Sequence, residues 1–316
     1  MRFQHLDLNL LVALDVLLDE QNITRAAERL HMTQSATSGV LARLRKYFED
    51  DLLVQVGRTM QPTPYAQELV GPVREVLLTI RSSITTKPVC DPTSSKRHFR
   101  IAASDYLISV VFARFIQRIH DIAPGITFEL HPPGEQAIEM ATRGEIDLII
   151  FPERYVIEGH PTALLFEEEH VCVVWRDNPE VGTSLTLEQY MQMGHISVGF
   201  GRSRQLSIED WFMSQYGFKR KLEVITTDFN TLPQLLVGTR RVATMPERLA
   251  KLYAQYIPLK VLPPPVKIPV MHENMQWHKS MEGDPLHRWL RKQIVEFVHE
   301  SERDHRSTLS LAKASG

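Results

Sequence analysis

Cysteine is scarce: the chain has two, Cys90 and Cys172, among 316 residues. That is too few for a disulfide framework at this size and fits a reducing compartment. Charge of one sign is lacking as well. The formal net charge is −2, so nucleic-acid binding, if present, must come from a local basic patch. No run approaches the about 18 consecutive apolar residues of a membrane span. The opening 20 residues set Asp7, Asn9 and Asp15 among leucines and offer neither an apolar core nor a small-residue cleavage site. A cytoplasmic protein with no membrane partner is expected. There is no Gly-x-Ser-x-Gly elbow and no phosphate-binding Walker loop. Among thirteen histidines, His272, His278 and His287 lie near Glu273, Glu282 and Asp284 but lack tight metal spacing, so neither metal nor cofactor is expected. The run Glu167-Glu168-Glu169 reads as a solvated acidic stretch before a strand, not as a paired-carboxylate site.

What is present is enough for two domains: 316 residues, 43% hydrophobic and 23% charged. Leu6, Leu10, Leu14, Leu17 and Leu18 recur at helical spacing in a first helix. Asn22 to Thr24 offers caps for a short second helix to about His31, and Thr33 caps a third from Gln34 to about Phe48. Two extended runs around Gly57-Arg58 predict a β-hairpin. Thr63-Pro64 starts a helix to about Thr85, with Leu69, Val73, Val76, Leu77, Ile80 and Ile84 as an apolar stripe. Self-association or docking on the first domain would cover that stripe.

Residues 88–97 are short, polar and Pro-containing, and read as a hinge. Beyond them a β-α-β-α-β order argues for a mostly parallel sheet covered on both faces. About ten strands in all are easier to place in two lobes than in one sheet. A last helix spans Asp284 to His299, and a polar, disordered tail is expected after it.

Between Ile23 and Lys46 there are five basic residues (Arg25, Arg29, Arg43, Arg45, Lys46) against one acid, Glu28. Two short helices joined by His31-Met32-Thr33 have the span of a helix-turn-helix. Gln34, Ser35, Thr37 and Ser38 at the start of the second helix are short polar groups suited to base edges. Arg43 and Arg45 lie further along, better placed for the DNA backbone. A soluble three-helix unit with a solvated charge cluster is the alternative.

The run Asn22-Ile-Thr-Arg-Ala-Ala-Glu-Arg-Leu-His-Met-Thr-Gln-Ser-Ala-Thr-Ser, followed by Leu44, Phe48, Leu52, Leu53, Arg58 and Pro62-Thr63, closely resembles the N-terminal domain of LysR-type transcriptional regulators. Met1-Arg-Phe, Gly71-Pro-Val-Arg-Glu, Phe200-Gly-Arg, Thr244-Met-Pro and Gln276-Trp are similar to the subgroup of nodulation and aromatic-degradation regulators. The resemblance implies an α+β winged helix-turn-helix with a linker helix, then a two-lobed α/β sensor domain like periplasmic binding proteins. The expected boundaries are a winged domain at 1–63, a dimerising helix at 64–87 and a hinge at 88–97. An effector-binding domain at 98–300 follows (lobe 1: 98–163 and 270–300; lobe 2: 164–269), with a disordered tail at 301–316. The implied partners are operator DNA, RNA polymerase, a small-molecule effector and further copies of the chain, as dimer or tetramer. Thr33, Gln34, Ser35, Thr37, Ser38, Arg43, Arg45 and Arg58 are the DNA-binding candidates. Gly39 departs from the pattern, because many members carry a basic residue there.

Doubly wound lobes hold ligands beyond the carboxyl ends of their strands. The residues at those ends are Ser104, Asp105, Tyr106, Phe151, Pro152, Phe200, Arg202, Phe229 and Asn230, a lining suited to a small aromatic or phenolic inducer. The hydroxyl and N–H groups at Ser104 would suit an anion or phenolate. Taken singly, Phe151 and Phe200 also fit a core, Ser104 a helix cap and Arg202 a solvated site. A solute-binding protein or an α/β enzyme would share the lobes. The missing signal peptide and about 90 preceding residues speak against the first, and the missing nucleophile and cofactor motifs against the second.

Overall fold

The structure is a computed structural model that describes residues 7–57, 59–83, 91–200, 205–206, 217 and 220–314. Arg58, Ile84, Cys90, Arg202 and the side chain of Phe200 lie outside the described residues. The chain forms two compact units, Met1–Pro88 and Val89–Gly316.

The first unit is built from α1 (Leu8–Glu20), α2 (Ile23–Arg29), α3 (Gln34–Phe48), β1 (Leu53–Val56), β2 (Thr59–Pro62) and α4 (Pro64–Ser83). Local chemistry sets its helix starts. Asp7, Asn22, Thr33 and Thr63 each accept a hydrogen bond from the backbone two or three residues on, satisfying donors a helix leaves open. The helices stop at Gln21 and Glu49 in left-handed backbone, with φ of 47° and 53°. Leu14, Leu17, Ala26, Leu41, Leu44, Leu52, Leu53, Ala66 and Val73 share one core, and β1 and β2 pair antiparallel as a two-stranded wing.

The apolar stripe on α4 is covered in part by its own unit, since Val73 is buried in that core and Leu69 and Leu77 pack against it. Arg74 adds a polar tie: its Nε lies 2.7 Å from Asp15 and its Nη2 3.1 Å from Asp19, both on α1. Val76 stays 44% exposed, as do Leu8 and Val12 at 43% and 46%, so an apolar surface remains for a further contact.

The second unit holds two sheets. The first, in the order β4-β3-β5-β13-β6, contains β3 (His98–Ala102), β4 (Thr127–His131), β5 (Leu148–Pro152), β6 (Thr162–Glu168) and β13 (Met271–Gln276). The second has the order β10-β8-β11-β7-β12 with β9 beside β8, from β7 (His170–Trp175), β8 (Gly194–Phe200), β9 (Gln205–Leu206), β10 (Lys221–Thr226), β11 (Val242–Pro246) and β12 (Leu259–Leu262). Helix α5 runs through Asp105–Leu107, a π-helical stretch Ile108–Phe112 and Ala113–Ile122, and α6 spans Glu135–Thr142. The second lobe adds α7 (Leu187–Gln192), α8 (Leu232–Leu236) and α9 (Glu247–Ala254), and α10 (Pro285–Ala314) follows β13.

Three expectations are corrected. The sheets are mixed, not mostly parallel: β3 is parallel to β4 and β5, but β13 runs antiparallel to β5 and β6. Returning strands carry no local mark of direction, so periodicity alone does not reveal this. The crossing between lobes comes at Glu169, not at 164, because β6 pairs with β13 through Glu168. The last helix continues to Ala314 where a disordered tail was expected. Residues 301–314 are rich in helix formers, and extending a packed helix costs far less than nucleating one. Among the described residues no helix is long and apolar enough to cross a membrane.

The Arg74 tie gives a prediction for the first unit. Arg74→Met removes the cation held against Asp15 and one of the two held against Asp19, and is expected to destabilise the packing of α4 on α1 by about 1–3 kcal/mol. Hydrogen exchange of the α1 and α4 amides in the full chain should quicken about 5- to 150-fold, whereas unchanged exchange would mean the ion pairs add nothing to packing alone.

Candidate functional site

On α3 the side chains of Gln34, Ser35, Ser38, Ala42, Arg43 and Lys46 are exposed, with Gly39 among them. Thr33 is also exposed and caps the helix through the Ala36 N–H at 3.2 Å. The structure removes two DNA-binding candidates from this face. Thr37 is fully buried and its hydroxyl donates to the Thr33 carbonyl at 3.1 Å. Its spacing to the buried Leu41 and Leu44 puts it on the core side, a signal the sequence did contain. Arg45 donates to the Asp51 carbonyl at 2.7 Å and to the Leu53 carbonyl at 2.6 Å. It therefore anchors the wing to α3 and is not directed at a phosphate.

The basic balance read along the sequence also shrinks in three dimensions. Arg25 pairs with Glu20 at 3.1 Å, and Arg29 with Asp19 at 2.6 Å, acids supplied by α1. Arg43 has only a 4.0 Å contact with Asp7 across exposed surface, worth little in water. Gly39 is not a packing glycine: a Cβ built there meets nothing within 4 Å.

In the second unit a cavity of about 130 Å³ lies beyond the carboxyl ends of β3, β4 and β5. The first lobe contributes Ser104, Tyr106, Ala137, Ile149, Phe151 and Pro152, and the second closes it with His170, Phe229 and Pro246. Five of the expected effector residues meet here: Ser104, Tyr106, Phe151, Pro152 and Phe229. The Tyr106 and Phe229 rings stand edge to face with centroids 6.1 Å apart.

Asp105 and Asn230 do something else. The Asn230 N–H donates to the Asp105 carboxylate at 2.7 Å, its side-chain amide donates to the Asp105 carbonyl at 3.2 Å, and Ser109 donates to its amide oxygen at 3.1 Å. They clasp the two lobes beside the cavity and do not line it. Ser109 lies within the π-helical stretch, whose extra residue per turn shifts the register of α5 at this clasp. Ser104 lines the cavity while its oxygen accepts from the Leu107 N–H at 3.4 Å as the cap of α5, which leaves its O–H free to donate. Among the described residues no Lys or Arg lines the cavity.

The polar groups that sequence reasoning missed are acids. Glu168, expected in solvent, is 1% exposed. Tyr106 donates to it at 2.6 Å, the Arg248 backbone N–H at 3.0 Å, and the Arg248 guanidinium pairs with it at 2.8 Å. Burial raises the Glu168 carboxyl, while these donors pull it back toward ionisation. Glu273 lines the cavity, is 2% exposed, and its Oε2 has no hydrogen-bond partner. Burial and then the charge of Glu168 push its carboxyl up to about 8. His170, which also lines the cavity, is pushed down to about 4 by burial, so it is neutral at pH 7. The sequence signal for Glu273 is its place between Met271 and Met275 at strand period, on a buried face. Among the described residues no three His, Cys, Asp or Glu groups are placed to hold a metal ion.

Residues 8–67 match the family description "Bacterial regulatory helix-turn-helix protein, lysR family", and residues 93–298 match "LysR substrate binding domain". The chain belongs to the LysR family of transcriptional regulators. Its relatives include nodulation protein D 1 of Bradyrhizobium sp. (strain NC92), 44% identical over 312 residues that cover 97% of this chain and 99% of the relative. Nodulation protein D 1 of Rhizobium tropici is 44% identical over 291 residues, 92% of this chain and 94% of that one. These relatives agree with the nodulation subgroup expected from sequence. Among solved structures, PA0477, a transcriptional regulator of Pseudomonas aeruginosa, has a TM-score of 0.62 at 27% identity, covering 92% of this chain and 97% of its own. A full-length OxyR variant of the same organism shares the fold, with a TM-score of 0.69 at 18% identity over 93% and 95% of the two chains. As a LysR regulator the chain is not an enzyme.

Two predictions come from these sites. Gly39→Ala should stabilise α3 by about 0.5–1 kcal/mol, because the position is helical and open. Slower amide exchange along α3 would show it, and unchanged or faster exchange would contradict an open helical site. The second concerns pH. Glu273 titrates higher folded than unfolded, so its stabilising contribution is lost as pH rises from about 4.5 through about 8. His170, His195 and His287 are each held down at about 4, so their contribution is lost as pH falls from about 6.5 toward 4. Sensor-domain stability followed by tryptophan fluorescence should therefore peak at about pH 6.5, and Glu273→Gln should flatten the alkaline limb and steepen the acid limb above about pH 4.5.

Proposed function

We propose that this LysR regulator is an activator that binds operator DNA through α3 and responds to a small, single-ring aromatic or phenolic inducer held between its sensor lobes. The apolar, aromatic-walled cavity at the strand ends carries the inducer reading. Its volume of about 130 Å³ is close to that of cavities of about 150 Å³ lined by Leu, Ile and Phe that accept benzene. The clasp of Asp105 and Ser109 on Asn230 lies beside it. A ligand that wedges or draws in Phe229 would then change the angle between lobes, and a differential contact of that kind is what shifts a two-state equilibrium.

On the DNA side, Gln34, Ser35 and Ser38 reach base edges from the first turns of α3, while Thr33, Arg43 and Arg58 contact the backbone. The domains pair through α4, with Val76 in the uncovered part of its surface, and two-fold pairing requires two half-sites in the operator. Two such dimers form the tetramer, RNA polymerase is the partner in activation, and the cytoplasm, where the chromosome lies, is the place of action.

A gel-shift titration with the DNA upstream of the gene tests this reading. Log affinity should fall with log salt by about 0.9 per phosphate neutralised. Ser38→Ala with Arg43→Ala should weaken operator binding by about 1–3 kcal/mol and leave effector binding unchanged. Full affinity in that double variant would remove α3 as the reading helix.

A further inference from the structure

Two buried carboxylates lie on neighbouring strands here: Glu273 lines the cavity and Glu168 does not. Glu168 already holds the Arg248 guanidinium at 2.8 Å and the Tyr106 hydroxyl at 2.6 Å. Glu273, beside it and about equally buried, has neither a cation nor a donor among the described residues, and its Oε2 has no partner among them. Its strand neighbours across the ladder are Pro152 on β5 and Phe166 on β6, both uncharged. The other titratable groups around this wall are Tyr106 on α5, Glu135 on α6 and His170 on β7. His272, adjacent on β13, pairs instead with Glu153 and Glu167, each at 3.6 Å. A second carboxylate charge so close to Glu168, in an apolar wall, would meet both desolvation and like-charge repulsion.

We propose that Glu273 is a specificity-determining residue that enters the cavity as an uncharged carboxylic acid and donates a hydrogen bond to an acceptor oxygen of the inducer. The proposal rests on the reading of this cavity as the inducer site. An uncharged acid offers a donor without a fixed charge, so the wall selects ligands by an acceptor atom and penalises carboxylates, whose charge no Lys or Arg of the described lining offsets. Burial and Glu168 together keep the acid protonated through neutral pH. The donor is lost once the solution passes about pH 8, because the carboxylate can only accept.

The test uses the full chain, as wild type and as Glu273→Gln, with three single-ring probes in titration calorimetry at pH 6.5 and pH 9. Acetophenone carries an acceptor oxygen, cumene has nearly the same shape without one, and benzoate is anionic. Wild type should bind acetophenone about tenfold more tightly than cumene at pH 6.5, the value of one neutral hydrogen bond. That preference should fall about tenfold at pH 9, where about a tenth of an acid titrating at about 8 stays protonated. Cumene binding should not change. Glu273→Gln keeps an N–H donor and should bind acetophenone equally at both pH values. Acetophenone binding that ignores pH in wild type, or benzoate binding more tightly than acetophenone at pH 6.5, would overturn the role given to Glu273 and leave the cavity in place. No binding of any probe would overturn the cavity as inducer site, and the proposal with it.

Discussion

Glu168 sits at the last residue of β6, where the chain leaves one sheet for the other, and its carboxylate is shared by groups from both lobes. Tyr106 reaches it from the cavity wall, and Arg248 reaches it from α9 in the second lobe. Arg248 in turn lies 4.3 Å over the Phe166 ring and pairs with Glu302 of α10 at 3.0 Å. A charge this deep is tolerated only because its partners are in place, and stranding it would cost about 3–5 kcal/mol. That carboxylate fixes the Tyr106 hydroxyl, adds to the burial that raises Glu273, and ties the lobes together alongside the clasp at Asn230.

The cavity gains a division of labour from it. Of two adjacent buried acids, one is committed to a cation and stays ionised, while the other is left to be neutral. Aromatic and aliphatic side chains make most of the lining, with Ser104, Glu135, His170 and Glu273 among its few polar groups. Binding sites of this kind draw affinity from apolar burial and selectivity from few, well-placed donors. The clasp of Asp105, Ser109 and Asn230 beside the cavity holds backbone and side-chain groups from both lobes.

In the DNA-binding unit, charge is managed differently. Four of the arginines with described side chains serve the fold: Arg74 holds α4 on α1, Arg25 and Arg29 answer the acids of α1, and Arg45 secures the wing. What remains on the face of α3 is mostly short and polar. A surface of this composition favours hydrogen-bond reading over bulk electrostatic attraction, in keeping with the chain's small net charge.

Local chemistry in the sequence determined much of this protein. Asn22, Thr33 and Thr63 announced three helix starts, the period of the leucines set the faces of α1 and α3, and the turn at Gly57 marked the wing. The strand ends likewise placed Ser104, Tyr106, Phe151, Pro152 and Phe229 at the site. Only tertiary structure decided that Arg45 is used internally, that Asp105 and Asn230 clasp and do not line, and that β13 returns antiparallel into the first sheet. It alone made Glu168 and Glu273, 105 positions apart in sequence, a buried pair. Periodicity shows which residues share a face. Whether that face meets water or protein, and which charges meet across it, depends on chain pairings too distant in sequence to leave a local trace.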